Sequence, residues 1–197
     1  LQKLKKIDLD NTVEKLKEAI GLNLLQMQHT YFTLTRDELQ TEPETNKITI
    51  GIPNALYVQE YVPFWRFFFS SLGYSVHISP QSSKLVKKGK ELTGAEFCAP
   101  ISNWHGHVHY LSTKADYIFL PTMFSDHPKN LDKFYCYYSH YAVPLVHNTE
   151  SLDLKNRIIS PFINFAEPVV ENVRYIYESL PEELKLIQTP NEIRLAF

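Results

Sequence analysis

Residues 115 to 121 read Ala-Asp-Tyr-Ile-Phe-Leu-Pro, and this short run decides the fold class. A continuous apolar stretch closed by a proline is typical of a strand that is buried on both faces. Such strands belong to parallel sheets that helices cover on both sides. We therefore predict that residues 115–121 form the central strand of an α/β domain.

Strand and helix patterns alternate on either side of this run. Further strands are predicted at 47–53, 74–79, 141–146 and 157–161, and helices at 58–72, 82–92, 100–113 and 167–180. Strands that alternate with helices form a mostly parallel sheet, and the connections between parallel strands are right-handed. The sequence therefore predicts a Rossmann-like α/β fold with helices on both faces of the sheet.

The first 45 residues follow a different pattern. Apolar side chains recur at steps of three and four residues between Val13 and Met27, which predicts an N-terminal amphipathic helix. The polar run from Thr41 to Asn46 interrupts this periodicity. We predict a helical segment with its linker over 1–45 and an α/β domain over 46–197. Because the chain opens on Leu1, we expect it to be part of a longer polypeptide.

Composition excludes several classes of function. The 197 residues carry a formal net charge of -2, which provides no field for nucleic acid or an anionic membrane surface. No window holds the roughly 20 apolar residues that span a bilayer. The two cysteines fit a reducing compartment better than a disulfide scaffold. We expect a cytoplasmic protein with neither a nucleic-acid partner nor a membrane partner.

Ligands of parallel sheets bind beyond the carboxyl ends of the strands, so the loops at that edge are the candidate binding region. Asn54 lies in the loop after the first predicted strand, and Thr122 follows the central strand. The first loop, Gly51 to Leu56, lacks both the dinucleotide fingerprint and the phosphate-loop motif, so nucleotide binding is not indicated. We predict that Asn54 and Thr122 line a site at this edge.

Cys98 stands just before the predicted helix 100–113, and Pro100 favours the start of that helix. A helix start stabilises a thiolate, so Cys98 is a candidate metal ligand or nucleophile. Cys136 follows the central strand, and we predict that it reaches the same edge of the sheet. The alternative is that both cysteines are buried and inert, as free cysteines often are.

Three histidines, His105, His107 and His109, are spaced two residues apart. On a helix this spacing points them to different faces, so they do not form one metal site. We expect a packed histidine, with Gly106 allowing a neighbouring element to approach closely. His107 and Pro100 are further candidates for lining the site at the sheet edge.

Several stretches are similar, in order and spacing, to one known family. They are Ile50 to Leu56, Pro63 to Trp65, Ser79 with Ser82-Ser83, and Cys98-Ala99-Pro100 leading to His107. Over about residues 47 to 148 the chain resembles a domain of unknown function. That domain occurs in large proteins related to the activators of 2-hydroxyacyl-CoA dehydratases, the CoA-substrate-specific enzyme activases.

The resemblance implies a fold related to the dehydratase subunits, in which cysteine thiolates hold an iron–sulfur cluster. It also implies a partner, either another module of the parent protein or a dehydratase. Cys98 and Cys136 match two cysteines of the family. Thr122, Ser102 and Tyr137 depart from it, because many members have cysteine, lysine and proline there. A cubane cluster takes four cysteine ligands, so this chain holds an incomplete set.

The sequence alone is compatible with three alternative functions. The first is a module of a dehydratase-activator-like protein in which Cys98 and Cys136 contribute ligands to an iron–sulfur cluster for low-potential electron transfer. The second is a metal-free ligand-binding or scaffolding domain that docks neighbouring modules. The third is a thiol enzyme with Cys98 as nucleophile and His107 as base. Because no nucleophile and base show a recognisable spacing, we expect no catalytic residues and no activity in this segment by itself.

Overall fold

The computed structural model describes residues 48–93, 97–125, 135–149, 152 and 154–197. The predicted N-terminal helix and the predicted boundary at residue 45 lie outside these ranges. The strands are β1 Thr49–Ile52, β2 Ser75–Ile78, β3 Tyr117–Phe119, β4 Thr122–Ser125, β5 Ile158–Ile159 and β6 Phe162–Asn164. The helices are a 3-10 helix Leu56–Tyr61, α1 Val62–Ser71, α2 Ser83–Thr93, α3 Ala99–Ser112, α4 Tyr137–His140, α5 Ala142–His147, α6 Val169–Ser179, α7 Glu182–Lys185 and α8 Pro190–Ala196.

The main sheet is parallel throughout, in the strand order β2-β1-β3-β5. Gly51 of β1 pairs with Ile118 of β3, so both residues face the same side of the sheet. That side is covered by α3, because Gly51 lies against Leu111. Phe119 faces the other side and packs on Trp65 of α1, with the ring centroids 4.6 Å apart. Helices therefore flank both faces, which confirms the predicted α/β fold.

Two prolines carry the chain from the main sheet into a second, two-stranded parallel sheet of β4 and β6. Pro121 separates β3 from β4, and Pro161 separates β5 from β6. Because a proline has no N–H to donate to a neighbouring strand, the pairing of β3 and that of β5 end at these prolines. The two strands therefore leave the main sheet at the same level. The ladder resumes at Thr122, whose N–H donates to the carbonyl of Pro161 at 2.8 Å. From the sequence we predict only that strands end at Pro121 and Pro161.

The predicted strand at 141–146 is wrong, because these residues form the helix α5. The buried positions are Ala142, Val143 and Val146, a spacing that fits one face of a helix and not the alternation of a strand. Pro144 lies in the first turn, where its missing N–H breaks no helical hydrogen bond. The β-branched valines therefore pack as a helix face despite their strand propensity.

The helices α2 and α3 pack with their backbones in direct contact. A Cβ placed on Gly89 of α2 collides with the carbonyl of Ser102, and one placed on Gly106 of α3 collides with the carbonyl of Leu85. Residue numbers rise along one helix as they fall along the other, so the helices are antiparallel. The close approach predicted for Gly106 is confirmed. In the described ranges no helix is both long and apolar enough to cross a bilayer.

We expect Gly106→Ala to lower the free energy of unfolding by about 2 kcal/mol, because the added methyl forces the helices apart. The same change in an ordinary helix interior stabilises by about 0.5–1 kcal/mol, so the sign of the effect is diagnostic. Urea denaturation measures it. The exposed α2 variant Lys87→Ala serves as control and changes stability by less than about 0.5 kcal/mol. A Gly106→Ala protein more stable than the parent contradicts the close helix contact.

Candidate functional site

The crevice between the carboxyl ends of β1 and β3 is where the chain changes from one face of the sheet to the other, the usual ligand position in such folds. Tyr57 of the 3-10 helix fills it. Its hydroxyl donates to the carbonyl of Pro121 at 2.7 Å, and its ring packs on Trp104 and Tyr135 with centroids 6.2 and 5.3 Å away. Burial raises the pKa of the Tyr57 phenol. The protein's own side chain thus occupies the expected ligand position.

A second set of polar groups ties the carboxyl ends of β1 and β2 to α3. The N–H of Asn54 donates to Oγ of Ser79 at 2.9 Å, and that oxygen lies 2.7 Å from Nδ1 of His107. A serine hydroxyl has one proton and two acceptor lone pairs, so it can accept the Asn54 N–H and also hydrogen-bond Nδ1 of His107. The side chain of Gln81 completes the set by donating to the carbonyl of Asn54 at 2.6 Å.

His107 is fully buried, and burial lowers its pKa to about 4. It is therefore neutral near pH 7 and a weak base. No described residue gives a hydrogen-bond partner to Nε2 of His107 or to Oδ1 of Asn54. The geometry gives His107 the role of a neutral link between α3 and the loop after β2.

Cys98 is exposed and directly precedes α3 as its N-cap residue. His107 lies nine positions further along the chain, which is about 13.5 Å along the helix axis at 1.5 Å per residue. The two side chains cannot span that distance to form a hydrogen bond. The hypothesis of a thiol enzyme with Cys98 as nucleophile and His107 as base is therefore wrong.

Cys136 is exposed and precedes the short helix α4. It is followed by an aromatic patch, which we define as Tyr137, Tyr138 and Tyr141, with exposed fractions of 68%, 57% and 47%. The rings of Tyr137 and Tyr141 lie 4.8 Å apart between centroids, and their hydroxyls are 3.0 Å apart. An exposed thiol and a cluster of exposed tyrosines thus share one stretch of surface.

The donor set of this chain does not fit a complete metal cluster. In the described residues no three His, Cys, Asp or Glu side chains come together as a metal-binding group. The whole sequence holds two cysteines, so one chain supplies at most half of the four thiolates that a cubane takes.

The other predicted site residues lie apart from this network. Pro100 is exposed on the first turn of α3, next to Cys98. Thr122 is half-buried and begins β4. The structure therefore joins Asn54 with His107 and separates both from the start of α3.

Sequence reasoning missed two residues of the carboxyl edge. Tyr57 lies in a stretch rich in aromatic residues, and no local pattern marks it out from its aromatic neighbours. Ser79 is the first residue after β2, and a hydroxyl at that position is a signal that identifies it as a candidate.

A surface pocket of about 270 Å³ lies at the far end of the molecule, near the end of α1. Its walls come from α1, α8 and the segment before α8, and they are Ser71, Leu72, Gln188, Glu192, Leu195 and Ala196. Since α1 runs from the carboxyl edge to the amino edge of the sheet, this pocket is remote from the network described above.

A family model described as CoA enzyme activase uncharacterised domain matches residues 49–197. The match confirms the family resemblance found in the sequence and extends it through the C-terminal helices. No curated protein and no solved structure matches the chain.

We expect His107 to make the protein less stable as pH falls from about 6.5 to about 4.5. An unfolded histidine takes up a proton near pH 6.5, whereas in the folded protein the pKa of His107 is about 4. The unfolded state binds more protons in this window, so the free energy of unfolding falls with pH.

Denaturation at several pH values measures this loss, with His107→Gln as the test variant. The parent should lose about 2 kcal/mol more than His107→Gln between pH 6.5 and 4.5. The variant of an exposed histidine, His147→Gln, should follow the parent. Identical pH profiles for the parent and His107→Gln would show that His107 is not held neutral by burial.

Proposed function

This chain belongs to the family of CoA enzyme activase uncharacterised domains, and on that premise we propose that it is a partner-binding module without a reaction of its own. One observation carries the proposal: Tyr57 fills the crevice in which a parallel sheet of this kind would bind a substrate. The two exposed thiols, Cys98 and Cys136, lie instead at helix starts on the surface.

The aromatic patch supports the choice of a protein partner. Tyrosine is enriched in protein interfaces and at their energetic centres, because its ring buries a large area at a low cost in conformational entropy. Three tyrosines exposed side by side are therefore a candidate binding face. The partner that fits the family is another module of an activase-type protein or the dehydratase that it serves.

The double variant Tyr137→Ser with Tyr141→Ser tests this proposal by calorimetric titration against a purified activase ATPase module and against a purified dehydratase. We expect binding to one of them, weakened about tenfold or more by the double variant. The control is Val169→Ser with Val170→Ser, which removes two exposed apolar side chains from α6. Binding that is unchanged by loss of the tyrosines, or absent with both partners, contradicts the proposal.

A second candidate function is the contribution of thiolate ligands to an iron–sulfur cluster completed by a partner. The observation that favours it is the exposure of both thiols at helix starts, where no side-chain cap is present. Such a cluster supplies low-potential electron transfer when bound. Cys98 and Cys136 would hold two of its corners, and the partner would supply two more thiolates. Free thiols of this kind also fit the cytoplasm, the location that we propose.

Iron and acid-labile sulfide content after anaerobic reconstitution tests this second candidate. The chain is reconstituted alone and together with the purified partner module. We expect the mixture to hold more iron than the sum of its parts, and Cys98→Ser and Cys136→Ser each to remove the excess. The control Ser83→Ala, at an exposed serine of α2, leaves it unchanged. Equal iron in the cysteine variants and the parent contradicts ligation by these thiols.

A further inference from the structure

The surface pocket of about 270 Å³ near the end of α1 takes no part in the functions proposed above. Its volume lies below the roughly 300–1,000 Å³ of pockets that enclose a drug-sized ligand or a cofactor. A pocket of this size instead suits one large side chain, and the energetic centres of protein interfaces are side chains that fill pockets on a partner. The lining residues therefore decide which side chain fits.

Three of the six lining residues form an apolar wall, and they are Leu72, Leu195 and Ala196. The apolar surface continues beyond the pocket. Phe67 lies one turn before the lining residue Ser71 on α1, and Ile187 directly precedes the lining residue Gln188. Both apolar side chains are about half exposed, at 51% and 48%. Apolar side chains exposed around a pocket are typical of a protein-binding surface.

Glu192 supplies the negative charge of the pocket, and its carboxylate is held in one position. Oε2 of Glu192 accepts the backbone N–H of Thr189 at 2.7 Å and the Thr189 hydroxyl at 2.8 Å. These hydrogen bonds lower the pKa of Glu192, so its carboxylate is ionised near pH 7. Within the ranges that the structure describes, no lysine or arginine pairs with this carboxylate.

The basic side chains of the two C-terminal helices are already engaged elsewhere. Lys185 of α7 pairs with Glu182 at 2.8 Å. Arg194 of α8 donates to Oδ1 of Asn191 at 3.1 Å. Glu192 therefore keeps an uncompensated charge at the pocket.

The C-terminal end of α1 is a second feature that favours a cation in the pocket. Ser71 and Leu72 line the pocket where this ten-residue helix ends. The carbonyl groups of a last helical turn carry a negative partial charge, and the last turn of α1 has no basic side chain to offset it. The buried Gln188 donates from Nε2 to the carbonyl of Leu72 at 3.0 Å, which ties the segment before α8 to the end of α1.

We propose that this pocket receives an arginine side chain of a partner protein. The methylene groups of the arginine pack on the apolar wall, and its guanidinium reaches the Glu192 carboxylate and the end of α1. A planar guanidinium has five N–H donors and can serve two acceptors at once, which the single ammonium of lysine does less well. Arginine is also enriched in interfaces and among their hot spots.

This inference rests on the partner-binding function only in taking a protein as the source of the arginine. Its test uses small probes and no partner, so its failure is distinguishable from a failure of the aromatic patch to bind a partner.

NMR titration of the full 197-residue chain tests the proposal, with the methyl signals of Leu195 and Ala196 as reporters. The probe is Nα-acetylarginine amide, and the reference is Nα-acetylcitrulline amide, which has nearly the same shape without the charge. Potassium chloride keeps the ionic strength equal. We expect saturable shifts and binding of the arginine probe at least about threefold tighter than that of the citrulline probe. Equal affinities, or no saturable shift, overturn the proposal.

Glu192→Gln is the test variant, because glutamine at this position preserves the capping box with Thr189. It should lower the affinity for the arginine probe to that for the citrulline probe. The control Glu178→Gln removes the same charge from an exposed position on α6 and should bind as the parent does. An unchanged affinity of Glu192→Gln overturns the proposal. Tighter binding of free L-arginine than of the blocked probe assigns a free amino acid as ligand and also overturns it.

Discussion

The close backbone contact between α2 and α3 holds in place the helix that carries His107 and Tyr110. Gly89 and Gly106 set how closely the two helices approach, because a Cβ on either glycine would collide with the backbone of the other helix. At that position His107 reaches Ser79 and Tyr110 reaches His77. Any residue larger than glycine at either position would move all of these groups together, because packed interiors transmit strain.

Because Tyr57 closes the crevice at the carboxyl edge of the sheet, we expect this domain to act through groups on its surface. A parallel sheet of this order offers a crevice between β1 and β3, and here a tyrosine seals it. The imidazole of His107 is also a poor general base, because burial lowers its pKa and keeps it neutral. Its Nδ1 is hydrogen-bonded to Ser79. In the described part of the chain, the two thiols and the aromatic patch are accessible. We expect each of these groups to function only in contact with a second molecule, as in a module of an activase-type protein.

The sequence predicts most of the main sheet because its strands and helices have strong, separate signals. The run at 115–121 is apolar throughout, and Pro100 marks the start of α3. The segment 141–146 fails because β-branched residues suit a buried helix face as well as a strand. Tyr57 and Ser79 escape prediction for another reason. Their roles depend on partners such as Pro121 and His107 that are distant in sequence, and no local pattern reports such contacts.

The central claim is that both thiols lie on the surface while the crevice is closed, and thiol alkylation of the native chain tests it most directly. Iodoacetamide labelling followed by mass spectrometry gives the rates at Cys98 and Cys136 separately. The account predicts that both exposed thiols react within about tenfold of their rates in the unfolded chain. Protection of either thiol until the protein unfolds would contradict it, because that cysteine would then be a buried part of the fold.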